Sequence, residues 1–391
     1  MRAHTSRPCG AERTTDVIVR RPSLRQLGIC AFLVACGGED AMEPSSTSST
    51  PLQPPTFTVV GRGNLPAAGQ ATSDLWVHGA IAYTGTFGGN TLWVWDVSNP
   101  ATPVRAASVV VDAGSVNDVK IRADGTLGVI THENSQDGLN GITLLDLSDP
   151  LRPQVITRFT SGVLSNGVHN TWIEGDYVYA AGGAASGGRI TIIDISNPAD
   201  PQVVAGFYAG SSGAHDVYVR DGLAFVSHWN AGLVILDVGN GIAGGSPTNP
   251  VEVGRVQTEG GNTHNAWYWP DAGYVFVGEE SGRPGVLHVV DVSDLSNPVE
   301  VATFAVDEGN PHNFWLDEAR GILYVAWWRQ GLKAIDVSGE LLGQLDTQGR
   351  LVGSIGVGDG FGESSWGAQL HNGLVYVSEV NSGLWIFRPE F

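Results

Sequence analysis

The chain has 391 residues, 42% of them apolar and 16% charged, with 53 Gly and 20 Pro; that composition supplies a core and many turns, and argues against long solvent-exposed helices. Its formal charge is −19 and its lysines are two, Lys120 and Lys333. A nucleic-acid partner, which needs clustered Lys and Arg against phosphate, is thereby disfavoured, while cation binding stays open.

In chain order, the first segment reads as an address. Six Arg and no Lys stand before residue 36, and an apolar run, Leu27–Ala35, follows Arg20, Arg21 and Arg25. That run is too short to span a bilayer and has the layout of a secretory signal. It ends in Leu33-Val34-Ala35-Cys36, which resembles a bacterial lipobox and predicts a leader over 1–35 with lipidation at Cys36. The alternative is an ordinary cleaved signal with a chance Cys. Residues 36–55, rich in Ser, Thr and Pro, read as a flexible tether. Gly37 rather than Asp after the Cys favours the outer membrane or cell surface, by similarity to Gram-negative lipoproteins. The chain would then touch a membrane through its lipid anchor only. All three Cys (9, 30 and 36) lie in or beside the leader, so the remainder carries no disulfide and no thiol nucleophile.

From residue 56 the sequence repeats itself. "ITIIDISNPADPQVVAGF" at 190 returns in altered form at 92, 142, 233, 287 and 332. Its Asp falls at 96, 146, 194, 237, 291 and 336, with Arg388 in the last equivalent place, at spacings of 43 to 54 residues. Two strand-like runs precede each phrase, so one unit is four strands, and the period is that of a propeller blade. The seventh unit ends after its third strand, at Phe391, whereas "TFTVVGRG" at 56–63 is an orphan strand resembling the missing fourth. The expectation is an all-β, seven-bladed β-propeller over 56–391, four strands per blade, closed by the N-terminal strand completing the last blade. Asp96, Asp146, Asp194, Asp237, Asp291 and Asp336 are expected to accept turn N–H groups rather than bind calcium, because a residue needed once per blade is scaffold. In the sixth unit the turn is replaced by a longer loop, residues 338–354, either a binding elaboration or a tolerated insertion.

The phrase, seen most clearly as "LVILD" at 233–237, resembles the LVIVD-repeat family of bacterial secreted or surface β-propellers. The resemblance covers roughly 56–391 and implies the architecture, with little about activity.

Aligned at the start of the innermost strand, the units give Ser73-Asp74, Asn117-Asp118, His169-Asn170, His215-Asp216, His264-Asn265, His312-Asn313 and Trp366-Gly367. The Asx recurs in six units and is expected to cap a turn between blades. The four His should gather near one mouth of the channel. Residues after the second strand should border the same face: His132, Glu133, His228, Trp229, Glu279, Glu280, Trp328, Arg329 and Glu379. Imidazoles beside carboxylates suit Zn, Cu, Fe or Mn. The competing reading is a structural His of the kind WD-repeat propellers use, although such a His should occur in every unit. Trp76, Trp172, Trp267 and Trp315 share one strand position and read as packing between blades; Trp229, Trp327, Trp328 and Trp366 fall near the mouth, where they could stack on a ligand.

Two functions follow from this reading. One is a lipid-anchored surface platform that binds a protein, a glycan or a small ligand without turnover. The other is a metal-dependent hydrolase or oxidase, with His169, His215, His264 and His312 as ligands of one transition-metal ion and Glu133 or Glu279 as acid or base. The nucleophile elbow G-x-S-x-G and the Walker phosphate loop are both absent from the sequence.

Overall fold

Each repeat alternates apolar and polar residues and then runs apolar at its third strand, and each forms a four-stranded antiparallel sheet. A computed structural model describes residues 56–64, 71–182, 188–210, 213–280, 285–358 and 360–391. The expected leader, Cys36 and the tether lie outside the described residues. In the third blade the strands are Asn170–Glu174, Tyr177–Ala181, Arg189–Asp194 and Gln202–Tyr208, paired in that order. Burial follows position: the third strand of blade four, Leu233–Asp237, is buried at every residue, whereas Gln202–Tyr208, at an outer edge, is half-covered.

The repeated Asp does what its turn requires. One carboxylate oxygen accepts the N–H two residues on, at 2.9 Å for Asp96, 2.8 Å for Asp146, Asp194 and Asp291, and 2.9 Å for Asp336. Asp237 accepts four backbone N–H groups, from Gly239, Gly241, Ala243 and Gly245. It thereby organises the long turn that replaces the usual Asn-Pro.

Seven such sheets form a closed ring. The innermost strands are Ala71–His78, Val119–Ile121, Asn170–Glu174, Asp216–Arg220, Thr263–Trp269, Pro311–Asp317 and Ser365–His371; each contacts the next, and the last contacts the first. The Gln369 side chain spans that junction, donating to Val77 O at 2.9 Å and accepting from Val77 N at 2.6 Å. At the outside, Phe57–Asn64 pairs antiparallel with Gly383–Pro389, from Phe57↔Pro389 to Asn64↔Gly383. The orphan strand is the fourth strand of blade seven, as its sequence predicts.

The core is divided between neighbours. Leu75, Val77 and Trp95 of blade one pack with Tyr376, Leu384 and Ile386 of blade seven, and comparable clusters fill the other six gaps. Every blade therefore relies on its neighbours for its dry faces. The long loop of unit six belongs to this packing. Leu341 and Leu345 are buried in the cluster between blades five and six, and Gly343–Gln344 adds a short parallel strand beside Ala302 and Thr303. The loop packs as a structural cover over the seam between blades five and six.

Candidate functional site

Along an innermost strand, side chains at steps of two share a face. The residues one, three and five places after the His position should therefore line the channel, and the His itself should point away. A register slip changes this: it falls at Thr72/Leu75, Thr263/Asn265, Pro311/Phe314 and Ser365/Gly367. A bulge of this kind re-aims one side chain and brings His264 and His312 to the channel; His169 and His215 stand just ahead of strands that pair without a slip and reach the same wall.

The result is a cavity of about 420 Å³ at one mouth, whose wall includes His169, His215, His264, His312, Glu133 and Glu280. Trp229, Trp328, Trp366 and Phe87 complete an apolar rim. The imidazoles stand side by side around the axis, with ring centres 4.5 Å apart for His169–His215, 4.1 Å for His215–His264 and 4.3 Å for His264–His312. Trp328 stacks on His312 at 5.1 Å with planes 6° apart.

Hydrogen bonds assign the ring nitrogens. His215 Nδ1–H donates to the His264 carbonyl at 2.8 Å, and His312 Nδ1–H donates to the Trp366 carbonyl at 2.6 Å. In the neutral rings, Nε2 is then the lone-pair nitrogen. Burial holds His312 down at about 4. Burial, followed by the charge of neighbouring imidazoles, holds His215 and His264 well below the usual value. His169 behaves oppositely. Burial works against its charge, but the Glu133 carboxylate, 3.0 Å from Nδ1, outweighs that and raises it. Neither nitrogen of His264 has a hydrogen-bond partner, although the ring is fully buried; its Nε2 lies 3.6 Å from Glu280 Oε2.

Three of these groups could share an ion. One ligand atom each from His215, His264 and Glu280 lie within 4.8 Å of one another, so small side-chain shifts bring them around one metal bonded at about 2.0–2.2 Å. The Nδ1 bonds of His215 and His312 to backbone carbonyls are the kind of outer contact that orients metal-binding imidazoles.

Strand parity separates the remaining sequence candidates. Glu133, Trp229, Glu280 and Trp328 reach the cavity, whereas His132, His228, Glu279 and Glu379, one residue away, turn into the blades. His132 Nε2 pairs with Thr143 Oγ1 at 2.8 Å, and His228 Nε2 donates to the Gly188 carbonyl at 2.9 Å. Glu279 faces the buried His288 at 3.4 Å and is not among the residues that line the cavity. Glu379 accepts from Ser364 N, Asn381 N and Ser382 Oγ. Arg329 is exposed in a left-handed turn, φ 62°, with its N–H on the Glu363 carbonyl. Trp327 is fully buried core and donates to the Glu308 carbonyl.

Sequence reasoning missed Phe87, Ser364 and Val380 on the cavity wall. It also read the Asx tier too simply. Asn170 and Asn265 of that tier, and Asn117 at the His position of blade two, each donate a side-chain N–H to the carbonyl of the His one blade ahead, at 3.2, 2.7 and 3.0 Å. This forms a belt of bonds from each of these blades to the next. Where the belt has Asp instead, Lys120 answers: its Nζ is 3.0 Å from Asp74 Oδ2 and bonded to Asp118. That buried cluster lies among the residues of the Asx tier and the tier below it.

Comparison with known families agrees with the repeat pattern. The family model of the LVIVD repeat matches residues 68–111, 167–208, 211–258 and 272–306, in blades one, three, four and five. No curated protein matches the chain.

Proposed function

Because the chain is a seven-bladed β-propeller with four LVIVD repeats among its blades, we propose that it is a rigid binding platform whose ligand centre, at the imidazole-lined mouth, holds one transition-metal ion. What carries this reading is His264, a fully buried imidazole with both nitrogens unpartnered and with His215 and Glu280 in reach. A buried polar atom without a partner costs about 1–3 kcal/mol, and a metal bond removes that cost for one nitrogen. Two neutral imidazoles and a carboxylate suit Zn, Cu, Fe or Mn. The Trp rim gives a ligand on the open side of the ion apolar faces to stack on.

The platform is exported and held at a membrane by lipid on Cys36, a reading supported by the lipobox-like sequence and the tether. Labelled palmitate should enter the chain and fail to enter a Cys36→Ser variant; equal labelling of both would reject the anchor.

A second reading, a metal-dependent hydrolase or oxidase, is favoured by one observation: the His169–Glu133 pair borders the same cavity. An imidazolium there could hand a proton to a ligand on the metal. The test of the centre is elemental analysis of the full chain after equilibration with Zn²⁺ or Cu²⁺ and removal of free ion. About one ion per chain is expected, falling to background in a folded His264→Ala/Glu280→Ala variant. Background metal in the parent protein would reject the centre.

A further inference from the structure

Three residues beyond the His tier, five of the seven inner strands carry aromatics, which meet in a closed circuit around the axis; blades two and seven carry Lys120 and Gln369 there, and the Lys120 ammonium, paired with Asp74 and Asp118, lies 5.5 Å from the Trp76 ring. Ring centres lie 5.8 Å apart for Trp76–Trp172, 4.5 Å for Trp172–Tyr218, 4.8 Å for Tyr218–Trp267, 4.8 Å for Trp267–Trp315 and 5.7 Å for Trp315–Trp76. Below this collar opens a second cavity of about 440 Å³. Its wall holds the four Trp, half-exposed, together with Glu174, Asp317 and Glu318. Arg220, the cation among its lining residues, is already occupied by Glu318, at 3.3 Å through Nη2, and by Asp221, at 3.6 Å from Nε.

We propose that this second mouth binds a small quaternary ammonium ion, the aromatic collar receiving the cation and the acidic rim attracting it. Packing between blades accounts for the ring contacts but not for four Trp left half-exposed above carboxylates. Indole faces carry negative quadrupole charge and attract a cation within about 6 Å of the ring centre. Apart from the Tyr218 hydroxyl, the collar offers aromatic surface rather than hydrogen-bond acceptors, so it favours a cation with no N–H to satisfy over an ammonium or guanidinium that would forfeit its bonds to water. The planes of neighbouring rings are inclined by 37° to 79°. They enclose a sphere better than they support a flat sugar ring. The proposal is independent of the metal centre.

Titration of the full chain with choline, followed by tryptophan fluorescence and calorimetry, tests it. Saturable binding is expected, about tenfold weaker for the uncharged isostere 3,3-dimethylbutan-1-ol and about tenfold weaker in Trp267→Ala or Trp315→Ala. Glu174→Gln, at an exposed position that does not threaten folding, should weaken it severalfold. His264→Ala should leave it unchanged. Sedimentation with phosphatidylcholine vesicles separates the sources: binding of free choline alone identifies a solute, and binding of vesicles as well identifies a lipid headgroup. Equal affinity for the uncharged isostere, no saturation with either source, or saturation by a maltooligosaccharide in place of choline would overturn the proposal.

Discussion

At His264 the fold places an imidazole where water does not reach and neither nitrogen is bonded. Scaffold histidines in the same protein look different. His132 holds Thr143 and His228 holds a backbone carbonyl. A residue kept for binding rather than for stability should be improvable by removing its polarity. In metal-free protein, His264→Phe is expected to leave the melting temperature unchanged or raise it by a few degrees while metal uptake is lost. A fall of more than about 2 kcal/mol in unfolding free energy would instead mark His264 as scaffold. The four His of this tier were legible in the sequence because they recur in phase with the repeat. The choice between Glu279 and Glu280 was not. It depends on which face each residue takes where the strand ends, and a one-residue slip at the strand opposite, between Thr263 and Asn265, moves that boundary.

The element that most affects the whole ring is its outermost strand in blade seven, Phe57–Asn64. Phe57 enters the cluster between blades six and seven and meets Tyr324, Phe387 and Phe391 edge-on, at 6.3, 6.3 and 5.5 Å. One side chain therefore ties the start of the propeller to two blades from its end. Phe57→Ala should cost about 3–5 kcal/mol, read as a lower denaturant midpoint with an unchanged slope. A cost below about 1 kcal/mol would mean that the ring does not depend on this closure. The strand could be foreseen because the repeat count leaves a three-stranded unit at one end and a lone strand at the other. The loop of unit six shows the opposite situation. Its length was visible, but its destination on blade five depends on Leu341 and Leu345 finding a gap between blades, and that gap exists only where blades five and six have packed together.

Across the whole molecule the channel stacks tiers of unlike chemistry: imidazoles, then Asx and Lys120, then aromatics, then the acidic rim. Burial treats their charges in opposite ways, so the pH profile of stability should show which tier dominates. His132 and His312 are held at about 4 in the fold, chiefly by burial, and His215 and His264 lie well below their ordinary value. These depressed imidazoles contribute fully above about pH 6.5. As pH falls below that, the unfolded chain takes protons that the fold refuses, and stability declines by up to about 1.4 kcal/mol per pH unit for each such proton. Asp216 has the opposite sign. Burial, only partly offset by Lys120, raises it to about 7; its charge costs stability above that pH, and the cost fades as pH drops towards 4. Asp118, raised by burial to about 6, and Glu280, raised by burial, act in the same direction as Asp216, as does His169, where burial is outweighed by Glu133, so the profile between about pH 6.5 and 4 balances opposed contributions that single variants separate. Chemical denaturation across that range should find the slope reduced by close to one proton in His312→Gln. In Asp216→Asn the stability gained near pH 8 should vanish near pH 4. If neither variant changed the profile, water and counter-ions would reach the channel freely, and the tiers would behave as surface groups rather than as a buried axis.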